Sequence, residues 1–224
     1  PVPVLEQVTT TGTGAVDAVV ATNGTLAYVL GGVTVEQRTL VWVDRTGREE
    51  PIKVPPRAYA YAQISPDGSR VALDIRDEQN DIWIWDLARE TLQRLTFDPG
   101  LNRAPVWTPD GKRVAFSRAM GDGNVNVEEV YWQAADGSGM AEQLTEGSKT
   151  TVMPSDFSSD ATTLLYEPTG NPLDIRMVTT AGRAAGMPLL ASPANEGSAT
   201  VSRDGTGQTS PAETKSPCGR SRVW

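Results

Sequence analysis

The stretch "ISPDGSRVAL", Ile64 to Leu73, sets a Pro-Asp-Gly turn between a short apolar start and a β-branched run. Each turn residue has a local reason to be there. Proline presets φ, aspartate accepts backbone N–H bonds two residues on, and glycine supplies positive φ. The stretch also recurs. "VWTPDGKRVAF", Val106 to Phe116, repeats it nearly residue for residue, and "FSSDATTLLY", Phe157 to Tyr166, is a degenerate copy. "VSRDG", Val201 to Gly205, begins another, and "ATNGTLAY", Ala21 to Tyr28, fits with Asn for Asp and a turn one residue shorter. The key positions are 23, 67, 110, 160 and 204, so the steps are 44, 43, 50 and 44. A strand-patterned period in the low forties is the signature of β-propeller blades.

The same internal order returns in each period. After the turn at 67 comes Arg70 to Ile75, then Asp81 to Leu87 ("DIWIWDL") in strict two-face alternation, then a polar turn at 88–91 and Leu92 to Thr96. The next period gives Glu129 to Gln133, a turn at Ala135 to Gly139, and Ala141 to Thr145. The first offers Leu40 to Asp44, a turn at Arg45 to Arg48, and Pro51 to Val54. Four short antiparallel strands per period make one blade. The expected fold is therefore all-β, with about four complete blades and the first turn of a fifth. The extra length of the third period falls at Ala119 to Val127, read as a lengthened hairpin loop, and 21 glycines and 16 prolines punctuate the strand ends.

Composition narrows the chemistry. Of 224 residues 38% are hydrophobic, and none of the apolar runs approaches the roughly 18 residues of a membrane-spanning helix. A net charge of −8 argues against a nucleic-acid surface, which needs clustered Lys and Arg. The single cysteine, Cys218, cannot form an intrachain disulfide. Histidine is absent, which removes the commonest general base and every Ser-His or Cys-His nucleophile pair. There is no G-x-S-x-G elbow, P-loop or kinase motif. The start, "PVPVLE", carries neither Met nor a signal pattern, so an upstream part is expected to be missing.

The turns Ser65-Pro66-Asp67-Gly68 and Thr108-Pro109-Asp110-Gly111, with the block "DIWIWDLARETLQRLTFDPGLNRAPVWTPDGKRVAFSR" from Asp81 to Arg118, resemble the TolB-like (PD40, WD40-like) β-propellers. They resemble in particular those found C-terminal to bacterial serine/threonine protein kinases. The resemblance covers roughly residues 1 to 205. It implies a ring, commonly of six blades, of which this chain is a fragment, and a periplasmic or extracytoplasmic location. Two departures stand out. Ser159 and Ala161 replace Pro and Gly in the third copy, which predicts a looser turn there. After Gly205 the strand pattern collapses into "TGQTSPAETKSPCGRSRVW". Shifted by one base, residues 206 to 219 can encode a family-like strand, so the tail (206–224) reads either as a frameshift product or as an ordinary disordered terminus.

The candidate residues read as structural punctuation: Pro66, Asp67 and Gly68; Pro109, Asp110 and Gly111; Asp160; Asp204 and Gly205. A catalytic acid has no reason to recur once per blade. Trp83 and Trp85 alternate with Ile82 and Ile84 and are expected to pack blade on blade. Asp122, Asn124 and Asn126 have the alternation of a calcium loop, but Val127 and Gln133 stand where that loop needs Gly and a bidentate Glu. "NGT" at Asn23 matches a glycosylation acceptor but coincides with a blade turn. No catalytic, cofactor or metal residue is assigned, and calcium in the central channel is unsupported. The leading expectation is a non-catalytic module that binds a protein, peptide or small ligand, without nucleic acid and without membrane insertion. The alternative is the propeller accessory domain of a prolyl-oligopeptidase-type serine hydrolase, whose Ser, Asp and His would lie on another domain.

Overall fold

Why these residues form strands is visible in their alternation, and why the strands group in fours is visible in their turns. The computed structural model describes residues 37–202, apart from 78, 120–126, 171–172, 193–196 and 198, together with the backbone of 18–20 and 26–29. Among the described residues all regular structure is β. The first sheet comprises β1 (Ala18–Val20), β2 (Leu26–Val29), β3 (Leu40–Val43) and β4 (Glu49–Pro51). The second comprises β5 (Tyr59–Ile64), β6 (Arg70–Arg76), β7 (Asn80–Asp86) and β8 (Thr91–Arg94). The third comprises β9 (Asn102–Trp107), β10 (Arg113–Ala119), β11 (Glu128–Ala134) and β12 (Glu142–Gln143). The fourth comprises β13 (Val152–Phe157), β14 (Thr163–Pro168), β15 (Ile175–Thr179) and β16 (Met187–Leu190). Each sheet is an antiparallel meander in chain order, that is, one blade. The first strands β5, β9 and β13 lie against one another, so they are the inner strands, and β8, β12 and β16 are the outer ones.

A blade is apolar on both faces because it is buried on both. In β6, Val71, Leu73 and Ile75 join Leu40, Ile52, Val54 and Trp85 in the layer between blades 1 and 2, while Ala72 faces blade 3. Trp83 and Trp85 pack into the first layer, and Ile82 and Ile84 into the second with Trp107, Val114 and Phe116. Between blades 3 and 4 lie Val106, Ala115, Val130 and Leu144 against Val152, Phe157, Leu164 and Tyr166. At roughly 1.5–3 kcal/mol for each large apolar side chain fully removed from water, these layers dominate the favourable side of folding.

The inner strands share a second device. In blades 2, 3 and 4 the inner-strand pairing carries one register shift: between Tyr59 and Tyr61, opposite Ala115–Ser117, and between Pro154 and Asp156. A bulge bends the strand and adds local twist. Pro105 and Pro154 sit in β9 and β13, which is permitted because an inner strand is a sheet edge.

The turn between the first two strands has one geometry in blades 2, 3 and 4. Gly68 N–H donates to Ser65 O, Gly111 N–H to Thr108 O and Ala161 N–H to Ser158 O, each at 2.8 Å. Their φ angles are 72°, 66° and 59°. The third turn is therefore not looser, as the loss of Pro and Gly predicts. Its side-chain anchors hold it, and Ala161 accepts a left-handed conformation that costs an L-residue roughly 1–2 kcal/mol. The equivalent turns at Asn23 and at Asp204–Gly205, the loop residues 122–126 and the tail lie outside the described residues. Ala161→Gly is accordingly expected to stabilise the chain by about 1 kcal/mol, read as a higher urea midpoint at unchanged slope.

Candidate interaction face

Successive strands run in opposite directions, so each blade has two ends. At one end lie the Asp-Gly turns and the turns between third and fourth strands. At the other lie the second-to-third-strand hairpins and the connections to the next blade.

At the first end every motif carboxylate among the described residues is engaged by its own turn. Asp67 Oδ1 accepts Ser65 Oγ–H at 2.6 Å, Ser69 N–H at 3.0 Å and Ser69 Oγ–H at 2.8 Å. These bonds hold its carboxyl at about 2, below the usual carboxylate range. Asp110 accepts from Thr108 Oγ and Lys112 N, and Asp160 from Ser158 Oγ and Thr162 N, with their carboxyls lowered by the same hydrogen bonds. Consecutive turns touch: Arg70 Nη2 donates to Gly111 O at 2.7 Å while its guanidinium stacks on Trp107. Asp44, Asp86 and Asp136 hold the other turns at this end in the same way, through Thr46 N, Ala88 N and Ser138 N. The reading of the sequence passed over these three, although an acid follows the third strand of blade 1 and ends that of blade 2. A carboxylate with so low a pKa is no general acid near neutrality, and among the described residues no group of three or more His, Cys, Asp or Glu could hold a metal.

The opposite end is built from buried charge. Asp74 is fully buried, pairs with Arg76 at 2.9 Å and accepts Ala104 N–H of blade 3. Arg103, on the inner strand of blade 3, pairs with the fully buried Glu128. Burial raises the carboxyls of both Asp74 and Glu128, against the pull of the two arginines. Further out, Asp81 meets Arg94 at 2.6 Å and Thr96 Oγ at 2.7 Å, and Thr96 Oγ in turn accepts Ile82 N–H. Blade 3 repeats that arrangement with Glu129, Thr145 and Val130 N–H. The recurring Leu-Thr pairs, Leu95-Thr96 and Leu144-Thr145, are its sequence signal.

Aromatic rings sit beside these arginines. Arg57 lies over Trp83, Arg76 over Tyr61, Arg94 over Phe97 and Arg118 over Tyr131. Phe97 is 71% exposed, so this end of blade 2 offers an uncovered ring backed by a guanidinium. Arginine and aromatic residues are enriched where proteins meet partners.

This arrangement is that of a β-propeller fragment. No family model matches the chain. Among solved structures it is similar to a putative TolB from Agrobacterium tumefaciens, with a TM-score of 0.64 and 21% identity over 82% of this chain and 68% of that one. It is also similar to TolB from Acinetobacter baumannii, with a TM-score of 0.60 and 18% identity, covering 80% of this chain and 42% of that one. A prolyl endopeptidase structure gives a TM-score of 0.56 at 16% identity, with 79% of this chain and 30% of the peptidase covered. The chain thus spans less than half of one TolB and under a third of the peptidase. At these identities the likeness establishes the fold.

Two outcomes follow from the two ends. Asp67 stabilises the fold fully above an unfolded-state pKa of about 4, and that contribution is lost as pH falls from about 4 toward 2. In Asp67→Ala the urea midpoint should depend less steeply on pH in that window. Arg103→Ala strands a buried carboxylate and is expected to cost about 3–5 kcal/mol at pH 7. Because burial raises the Glu128 carboxyl, Glu128 takes up a proton at higher pH than a free carboxylate does, so the deficit should narrow as pH falls below neutrality. A deficit constant with pH would contradict this role for the pair.

Proposed function

We propose that this chain is a non-catalytic β-propeller module that binds a protein or peptide partner, and that residues 1–205 are its blades and 206–224 a tail outside them. The observation that carries the reading is the division of labour between the two ends. The turn carboxylates are consumed by their own turns, whereas the hairpin end of blade 2 presents the exposed Phe97 and the half-buried Tyr61 with stacked arginines. Rigid blades buried on both faces hold those groups with little entropy left to lose on binding. The fold shared with two TolB proteins supports a scaffold role, and by resemblance an extracytoplasmic setting linked to a bacterial kinase or a TolB-like protein.

The second reading, an accessory propeller of a prolyl-oligopeptidase-type hydrolase, has its own observation. The chain shares its fold with part of a prolyl endopeptidase and part of an acylaminoacyl peptidase from Pyrococcus horikoshii, the latter with a TM-score of 0.52 over 31% of that chain. On either reading the chain binds rather than turns over.

The purified chain is expected to show no hydrolysis of peptidase or ester substrates. Peptides selected from a displayed library should lose at least about tenfold in affinity for Phe97→Asp, a deletion of a single exposed aromatic anchor. Turnover abolished by one substitution would overturn the non-catalytic reading. Selected peptides that bind Phe97→Asp unchanged would overturn the assigned end.

A further inference from the structure

Among the described residues, blade 4 has a flank with no complete neighbour. Leu165 and Ile175, with Met177, Leu189 and Leu190, form on that side the counterpart of the layers between the other blades. Ala199 and Val201 complete this small cluster, and Ala199 is 2% exposed.

How these residues are held repeats what happens between whole blades. Gln63 stands four residues before Asp67, and its Oε1 accepts the Trp107 N–H of blade 3 at 2.7 Å. Asp156 stands four residues before Asp160, and its Oδ2 accepts the Val201 N–H at 2.9 Å. Seven residues after the turn acid a second polar group reaches the next inner strand. Asp74 accepts Ala104 N–H, Ser117 Oγ donates to Val152 O, and Glu167 Oε1 accepts Ala199 N–H at 3.0 Å. Glu167 Oε1 also accepts Ser155 Oγ–H, which fixes the carboxylate in place. The first position reads the following strand in blades 2 and 4, where blade 3 has Val106 instead, and the second does so in blades 2, 3 and 4, so on blade 4 both are engaged.

Ser202 extends the parallel. It precedes Asp204 by two residues, as Ser65, Thr108 and Ser158 precede their turn acids. Those three hydroxyls each bond the turn acid and accept an N–H of the second strand. Ser202 Oγ is buried without a partner among the described residues.

We propose that the free flank of blade 4 is a strand-reading dock, occupied by the chain's own Ala199–Ser202 as the inner strand of a fifth blade, with Asp156 and Glu167 as the clip that sets its register. The dock reads N–H groups two residues apart, so it requires an extended segment with an N–H at both positions. This inference rests on the fold and stands whether or not the chain binds a partner at its other end.

Amide hydrogen exchange on the full chain tests it. The Ala199 and Val201 amides should exchange at least about a hundredfold more slowly than in a free chain. Asp156→Ala should remove at least about tenfold of the Val201 protection while Trp107 and Phe116 keep theirs. Val201→Pro removes the N–H donor and exchanges the Val201 side chain for a ring while leaving every side chain of blade 4 in place, and it should release Ala199 and raise binding of an apolar dye to the exposed flank. Should Asp156→Ala unfold the chain, Val201→Pro decides alone. Free-chain exchange at Val201 in the unmodified protein, or Ala199 still protected in Val201→Pro, would overturn the proposal.

Discussion

Blade-on-blade apolar packing is the interaction on which everything else here depends. A single four-stranded meander of this size has two apolar faces and cannot bury either by itself. The alternation in β6 shows the solution: Val71, Leu73 and Ile75 belong to one neighbour, and Ala72 to the other. In β6 the large residues face the preceding blade and Ala72 the following one, which lets the next sheet approach that strand closely. The repeat period is the sequence-level consequence, because each blade must meet the same demand as the last.

Polar groups then set the register that apolar packing leaves loose. Packed side chains tolerate small slips, whereas a backbone N–H has one acceptor in one place. Gln63, Asp74 and Asp156 supply such acceptors across blade boundaries, and Trp107 adds its indole N–H to Gln63 O at 3.0 Å. The buried ion pairs act at the same boundaries: the Asp74–Arg76 pair lies beside the Arg103–Glu128 pair of the next blade, and both arginines pull on both carboxyls. Breaking one such pair is costly, while the intact pair adds little net stability. Their contribution is to fix which strand end meets which.

Much of this was legible in the residues, and the rest had physical reasons not to be. Strand order and the turn at Asp67 follow from local chemistry, so one sequence suffices to read them. The opposite faces of Trp83 and Ile82 follow from a period of two. The inter-blade acceptors were invisible because nothing local distinguishes Gln63 or Glu167 from an ordinary solvated residue. Only the three-dimensional neighbour, some 44 residues away for Gln63 and Trp107, gives each its role. The Leu-Thr pairs were in plain view and periodic, yet Thr96 looked like a strand end until its hydroxyl was seen bridging Asp81 and Ile82 N–H. Ala161 shows the converse error: side-chain anchors at Ser158 and Thr162 preserve a turn that loses its usual Pro and Gly.

The inner-strand prolines carry a consequence for what the inner edge of the sheets can pair with. Pro105 and Pro154 have no N–H, and each lies beside a bulge on the edge that faces the axis. A visiting β-strand could not zip along such a wall, because the ladder would fail at the proline and its spacing would slip at the bulge. In blades 3 and 4 the axis is therefore closed to recognition by backbone pairing. Any molecule that enters there must be gripped by side chains, one contact at a time.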